Sequence, residues 1–180
     1  MKKNIIIILC ILLTAGVFAE SSFRFSLSDS LVTYTVEPSD SRLTTDLLWP
    51  YSMDVISLTY LHDITEGSRF QLGGDLGGGT WGTFAALDAA YSIPVFTVGN
   101  FNFDCNAIEK IGVYFPYFSL ISITDLELTA FRPGKKFFIG AGLETSVNAQ
   151  WGTFEADSTE SSYQIIVRPD IKVTCGWRFN

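Results

Sequence analysis

Histidine and cysteine are scarce in this 180-residue chain, and lysine is absent from a long part of it. There is one histidine, His62, and there are three cysteines, and no lysine lies between Asn4 and Lys110. A single histidine cannot build a multi-histidine metal site, and no Cys-x-x-Cys pair occurs. The formal net charge of -7 and the lack of any basic run give no electrostatic basis for nucleic-acid binding. We therefore expect no metal, no cofactor and no nucleic-acid partner.

Long hydrophobic runs are also missing after the first 20 residues. The chain begins with Met1-Lys2-Lys3-Asn4, continues through the apolar run 5–13, and reaches small residues before a possible cut after Ala19. This pattern is typical of a secretory signal peptide, and the run is shorter than the roughly 18 residues expected of a membrane helix. The sequence predicts a cleaved signal peptide over 1–19 and one domain over 20–180.

Apolar residues alternate with polar or small ones through the rest of the chain. The last ten residues place Ile171, Val173, Cys175, Trp177 and Phe179 on one parity, and Lys172, Thr174, Gly176, Arg178 and Asn180 on the other. Side chains alternate between the two faces of a strand, so this segment has one apolar face and one small or cationic face. No helical period holds over a dozen residues, and the domain is predicted to be all β.

The number of strands depends on how residues 168–170 are interpreted. A bulge within one long final strand favours eight strands, and a turn favours ten. Turn chemistry predicts breaks at 62–68, 91–94, 104–106 and 132–135. Glycines 77–79 predict a hairpin rather than a phosphate-binding loop, because no helix opens behind them.

The signal peptide, the alternation over 137–144 and 171–179, and Phe179 near the end carry a resemblance to a known class. With these features the chain resembles the small bacterial outer-membrane β-barrel proteins of the OmpX/OmpW-like class. The resemblance implies an antiparallel up-and-down transmembrane β-barrel of eight strands, with ten as the alternative. It also implies an outer-membrane location, contact with outer-membrane lipid and with the barrel-assembly machinery, and outward loops near 37–50, 77–80, 104–108 and 155–162. It identifies no extracellular partner, oligomeric state or pore.

Three charged residues are candidates for a network inside such a barrel. Lys172 and Arg178 lie on the inward parity of the last strand, where they can meet Glu144, or else Asp75 and Asp88. An eight-stranded barrel has an interior just wide enough for side chains, and buried charges need partners. The network would make a plug rather than a pore. The alternative is a solvated face of a soluble sheet.

Five aromatic residues are candidates for a belt at the membrane interface. They are Trp49, Trp81, Trp151, Trp177 and Phe179. Amphipathic rings at strand ends favour the headgroup level, and core packing in a soluble sandwich is the alternative. Whether Cys105 and Cys175 form a disulfide after export stays open.

His62-Asp63 is the only place that suggests acid–base chemistry, and no nucleophile lies near it in sequence. We therefore expect no catalysis. The favoured function is a structural, surface-interaction or small-solute role for an outer-membrane barrel. The alternative is a soluble secreted or periplasmic β-sandwich or lipocalin-like binding protein.

The signal-peptide hypothesis makes a direct prediction about the mature chain. We expect the exported protein to begin at Glu20, because the small residues required for cleavage end at Ala19. Intact-mass measurement of protein from the cell envelope checks this. A mass that retains residues 1–19 would contradict it.

Overall fold

The computed structural model describes residues 20–30, 32–37, 42–47, 55–64, 68–79, 82–115, 119–152 and 162–179. Within these ranges no helix is long and apolar enough to cross a membrane. The strands are β1 (Ser21–Ser30), β2 (Val32–Glu37), β3 (Arg42–Leu47), β4 (Val55–Asp63), β5 (Phe70–Gly79), β6 (Gly82–Val98), β7 (Phe101–Phe115), β8 (Ser119–Phe131), β9 (Phe137–Gly152) and β10 (Ser162–Phe179).

The sheet closes on itself. Its order is β1-β4-β5-β6-β7-β8-β9-β10, and β10 pairs back with β1 from Phe179 opposite Ser21 to Asp170 opposite Ser30. Every pairing is antiparallel. Beyond β1, β2 continues along β10, and β3 pairs with β2, so these two short strands extend the wall at one end. The fold is a closed eight-stranded antiparallel barrel, as predicted, and the ten-stranded alternative is wrong.

The register gives the barrel a stagger of ten residues. The stagger is found by starting at Ser30 and moving from each residue to its partner on the next strand around the barrel. The residues met in this way are Ser30, Asp170, Glu144, Asp125, Ile108, Ala90, Gln71 and Asp63. The Asp63 N–H then donates to the Glu20 carbonyl at 2.9 Å, so the circuit returns to the first strand ten residues before Ser30. Such a stagger in eight strands requires the strands to tilt by about 40° from the barrel axis. The tilt places side chains from distant strands at one height in the interior.

Polarity is inverted relative to a soluble domain. Along β8, the buried positions alternate with exposed ones, with Ile123, Asp125 and Glu127 inside and Leu126 and Leu128 outside. Among the described residues, 23 buried side chains are polar or charged and eight are hydrophobic. The apolar parity predicted from the sequence therefore faces outward, and the polar parity fills the interior.

Two predicted turns are wrong. Residues 91–94 lie inside β6, and residues 104–106 lie inside β7, so 104–108 is not an outward loop. Pro94 is accommodated by a register shift between Pro94 and Phe96. The β6–β7 connection falls instead at Gly99, where φ is 58°. Pairing on both sides of the strand overrides the local turn preference of 91–94 and 104–106.

The other predicted breaks have mixed outcomes. The 132–135 turn is confirmed: Gly134 has φ of 71°, and the Lys135 N–H donates to the Arg132 carbonyl at 3.0 Å. Glycines 77–79 end β5 and lead into the predicted hairpin with β6, whereas His62 and Asp63 end β4 rather than forming a turn. The predicted 37–50 loop contains β3, and 153–161, which holds most of the predicted 155–162 loop, lies outside the described residues.

An arginine on the outer wall should destabilise this barrel in lipid. Val173 is 52% exposed on the outward face of β10. Because lipid cannot solvate the guanidinium, we expect Val173→Arg to lower the free energy of unfolding by about 2–4 kcal/mol. Urea unfolding in lipid vesicles measures this, with Val173→Leu as the apolar control. Equal stability of the two variants would contradict an outward, lipid-facing Val173.

Candidate functional site

The interior contains a network of charged side chains centred on Lys172 of β10. Its ammonium Nζ is bonded to the Asp125 carboxylate of β8, lies 3.5 Å from Glu127 Oε2, and lies 3.8 Å from Glu144 Oε2 of β9. The Lys172 side chain is only 1% exposed. Three carboxylates therefore surround one buried cation, which gives it the close partners that a charge removed from water requires.

A second lysine extends the network across the barrel. Lys110 of β7 bonds to the Asp75 carboxylate of β5, and its Nζ lies 3.9 Å from Glu144 Oε2. Glu144 thus lies between Lys110 and Lys172. Because Asp75 and Lys172 belong to strands far apart around the wall, the chain of contacts crosses the interior.

Arg24 of β1 completes the network beside the closing seam. Its Nη1 donates to Glu127 Oε1 at 2.9 Å, and the Thr174 hydroxyl donates to Glu127 Oε2 at 2.7 Å. Thr174 is also hydrogen-bonded to Ser26, with 3.0 Å between the two hydroxyl oxygens. Polar side chains of β1, β8 and β10 are therefore joined inside the barrel where the sheet closes.

Bulky side chains fill the interior on both sides of the network. Towards the chain termini, Arg178 Nη2 donates to Asp104 Oδ2 at 3.3 Å, and its guanidinium stacks 4.0 Å above the Phe131 ring. Phe138, which is 1% exposed, lies under both Arg24 and Arg178. Towards the other end is a cluster of buried apolar side chains, which are Phe84, Ala86, Ile121 and Ile123.

The network holds more carboxylates than cations. Arg24, Lys110 and Lys172 stand against Asp75, Asp88, Asp125, Glu127 and Glu144, an excess of two carboxylates. Asp88 is 3% exposed, and neither of its carboxylate oxygens has a hydrogen-bond partner within the described part of the chain. Asp88 is therefore the least satisfied member of the network.

The three residues predicted to form an interior network, Glu144, Lys172 and Arg178, all point inward, but only Glu144 and Lys172 contact each other. Lys172 and Glu144 are 3.8 Å apart. Arg178 contacts Asp104 rather than Glu144, and Asp75 contacts Lys110 rather than either candidate cation. The sequence reasoning did not include four members of the network, although inward parity marks each of them: Arg24, Lys110, Asp125 and Glu127.

Small inward-facing residues make room for the large ones. A Cβ built on Gly140 would lie 3.1 Å from the Glu127 carboxylate, and one on Gly77 or Gly176 would collide with the ring of Phe84 or Phe138. Close packing of Glu127, Phe84 and Phe138 inside the barrel therefore depends on the glycines beside them.

Aromatic side chains lie outside the wall at the end that carries the termini. Phe23 packs between Tyr60 and Phe179, with ring centroids 5.2 and 5.4 Å away, and Trp177 packs edge-on to Phe137 at 4.9 Å. Two of the five predicted belt residues, Trp177 and Phe179, thus take part in aromatic contacts at this end. Three others cannot be placed, because 49 and 81 and the side chain at 151 lie outside what the structure describes.

Ser21 is hydrogen-bonded to His62, the single histidine of the chain. Ser21 Oγ lies 2.7 Å from His62 Nδ1, and the Tyr60 hydroxyl donates to Ser21 Oγ at 3.2 Å. The sequence could not show this pair, because the two residues are 41 positions apart. Within the described residues no carboxylate hydrogen-bonds to the imidazole, and Ser21 is only 8% exposed. The contact joins β1 to β4, and Ser21 is also one of the residues that line a recess at this end of the barrel.

Within the described part of the chain, the cysteines and the acidic residues form no further site. Cys105 of β7 and Cys175 of β10 are free, and β8 and β9 separate their strands in the wall. Among the described residues no group of three or more histidine, cysteine or acidic side chains is arranged to hold a metal ion.

Comparisons with known proteins give one structural likeness. No family model matches, and neither does any curated protein sequence. A crystal structure of Ail, the attachment invasion locus protein of Yersinia pestis, is similar over 89% of this chain and 99% of that chain, with 10% identity and a TM-score of 0.28. At that TM-score the likeness adds no argument, and the fold assignment rests on the closed strand pairing described above.

Removing the ammonium group of Lys172 should destabilise the folded protein. We expect Lys172→Met to lower the free energy of unfolding by about 3–5 kcal/mol, because it leaves Asp125 and Glu127 buried without that cation. Denaturant unfolding in lipid vesicles measures the effect. Arg178→Met is the matched control, since Arg178 is 24% exposed and should cost less. An equal or smaller loss for Lys172→Met would contradict the network.

Neutralising the surplus carboxylate should have the opposite effect. Because both carboxyl oxygens of Asp88 are buried without a hydrogen-bond partner in the described chain, we expect Asp88→Asn to leave the free energy of unfolding unchanged or raise it. The same unfolding experiment tests this, with Asp125→Asn as the control that should destabilise because Asp125 is bonded to Lys172. A clear loss of stability in Asp88→Asn would contradict the conclusion that Asp88 is the least satisfied member of the network.

Proposed function

We propose that this protein is a small outer-membrane β-barrel with a structural or surface-interaction role, a closed interior and no catalysis. The observation that carries the proposal is the inverted polarity of the closed barrel. Its wall exposes large apolar side chains such as Leu87, at 77%, and Leu143, at 65%, whereas charged Lys110 and Lys172 are each 1% exposed. A surface of this kind is stable in lipid and not in water.

The soluble alternatives fit these observations poorly. A β-sandwich needs two packed sheets, and this chain forms one closed sheet. A lipocalin-like protein has a barrel interior that holds a small ligand, and here the interior is crossed by Lys110, Glu144 and Lys172. Membrane insertion accounts for both the apolar exterior and the charged interior.

The filled interior favours interaction over transport. The mouth beside the termini has a recess of about 210 Å³, lined by charges of both signs that include Arg24, Asp63, Asp104 and Arg178. Above that recess, Phe138 and the Arg24–Glu127 ion pair occupy the path. The interior therefore offers no path for a small solute. We infer that the protein acts through residues at the barrel ends and on the outer wall.

The orientation follows from the usual arrangement of such barrels. Single-chain outer-membrane barrels have short turns on the periplasmic side and longer loops outside. Ser21, Phe179 and the strand ends on either side of 64–69, 99–100 and 132–136 share one end, which we assign to the periplasm. The strand ends on either side of 38–41, 80–81, 116–118 and 153–161 lie at the other end, which would face outward and contact an extracellular partner. Barrel-assembly machinery would insert the chain.

Gel mobility and conductance test the proposal. Because the barrel is closed by β1–β10 pairing, we expect membrane-extracted protein to migrate differently in SDS when boiled and unboiled. Because its interior is filled, the pure protein should give negligible conductance in planar bilayers. Release into the soluble fraction without a mobility shift would contradict the membrane barrel. Steady channels would contradict the closed interior.

The absence of catalysis has its own test at the Ser21–His62 contact. We expect the protein to leave phospholipid and lipid A unmodified in mixed micelles, because no carboxylate among the described residues hydrogen-bonds to the His62 imidazole and orients it as a base. Mass spectrometry of the lipids after incubation measures this, with Ser21→Ala and His62→Ala as matched variants. Lipid modification lost in both variants would overturn the non-catalytic assignment.

A further inference from the structure

The outer wall carries a carboxylate among apolar residues. Glu109 lies in β7, between inward Lys110 and inward Ile108, so its position faces outward. Its cross-strand neighbours are Ala89 on β6 and Thr124 on β8. Along the described β1 and β4–β10, only Glu109 and Asp29, which is one residue from the end of β1, are acidic at outward positions within a strand. No lysine or arginine occupies such a position.

Glu109 lies at the middle of the apolar band. Phe103 and Phe115 are aromatic residues at outward positions of β7, six residues to either side of Glu109. Twelve residues at about 3.3 Å per residue and a tilt of about 40° span about 30 Å along the barrel axis, the thickness of a bilayer core. An acidic side chain at that depth is farthest from both headgroup layers.

Neighbouring hydroxyls satisfy only part of this carboxylate. Ser122 Oγ donates to Glu109 Oε1 at 2.7 Å, and Thr124 Oγ1 donates to Glu109 Oε2 at 2.7 Å. A carboxylate accepts about four hydrogen bonds, so about half of its capacity is left towards the lipid. Thr145, which is exposed and directly opposite Thr124, makes no side-chain hydrogen bond within the described residues. We call Glu109, Ser122, Thr124 and Thr145 the polar wall patch.

Lipid cannot complete these hydrogen bonds. Polar side chains inside a bilayer are retained where they contact another protein group, and hydroxyls and carboxyls join membrane segments in this way. We propose that the polar wall patch is the contact surface between two copies of this chain in the membrane. The inference rests on the proposed membrane location.

The patch is complementary to itself. Glu109, Thr124 and Thr145 lie on three consecutive wall strands, β7, β8 and β9. A twofold axis along the membrane normal at Thr124 brings each Glu109, an acceptor, towards the second copy's Thr145, a donor. Two equal contacts form, as an isologous dimer requires.

The surface around the patch permits close approach. Ala89 and Ala107 flank Glu109, and the hydroxyls extend no farther than neighbouring leucines. Small residues allow membrane segments to approach closely enough to hydrogen-bond. A cationic partner is not needed, because the second copy supplies the hydrogen-bond donors.

Dimerisation of purified protein in phosphatidylcholine vesicles tests the proposal. Donor- and acceptor-labelled copies are mixed across a range of protein-to-lipid ratios, and energy transfer gives the dissociation constant. We expect wild-type protein to dimerise and Glu109→Leu to raise the dissociation constant about tenfold, since two hydrogen bonds of this kind are lost. Glu109→Gln, which still accepts hydrogen bonds, should weaken the dimer less.

A control variant separates the patch from the rest of the wall. Leu58 is 50% exposed on β4, diametrically opposite β8 in the strand order. Leu58→Ala should dimerise as the wild type does, and Thr145→Val should weaken the dimer as Glu109→Leu does. Wild-type protein that stays monomeric at every ratio would overturn the proposal, and so would equal dissociation constants for wild type and Glu109→Leu.

Membrane insertion is measured on the same vesicles by the boiling-dependent gel shift. Inserted but monomeric protein contradicts the dimer alone. Protein that fails to insert contradicts the proposed membrane location.

Discussion

Backbone hydrogen bonding is the constraint on which the rest of this structure depends. A sheet in lipid cannot leave an unpaired edge, because each unsatisfied backbone group costs several kcal/mol there. The pairing of β10 with β1 from Phe179 to Asp170 removes the edge. Once the sheet is closed, each strand residue must face either the outer surface or the interior, and the alternation of the sequence decides which.

Closure creates a second requirement, since a narrow interior must be filled. The polar parity places charges there, and these charges are stable only where cations and carboxylates meet. The ten-residue stagger brings Lys110, Glu144 and Lys172 from three strands to one level. Glycines at 77, 140 and 176 leave the space that this packing needs. The same ion pairs therefore stabilise the barrel and occupy its interior.

Parity made the fold class and the inward face of Glu144, Lys172 and Arg178 predictable from sequence. The pairing of charges was not predictable, because it depends on the stagger and on residues from six strands. Lys172 contacts Asp125, which is 47 residues away, and Arg178 contacts Asp104, which is 74 residues away. The turns expected at 91–94 and 104–106 were wrong because local propensity was weighed without the neighbouring strands that hold β6 and β7 straight. The approach of Ser21 to His62 depends on pairing in the same way.

The central claim is that the outer wall of the barrel is embedded in a membrane. Single spin labels at Leu58, Leu76, Leu87 and Val173 sample four strands outside the contact proposed for β7–β9. In reconstituted vesicles, the power-saturation accessibility of each label to oxygen should be high, and its accessibility to a water-soluble nickel complex should be low. Water-type accessibility at any of the four positions would contradict a membrane-embedded barrel.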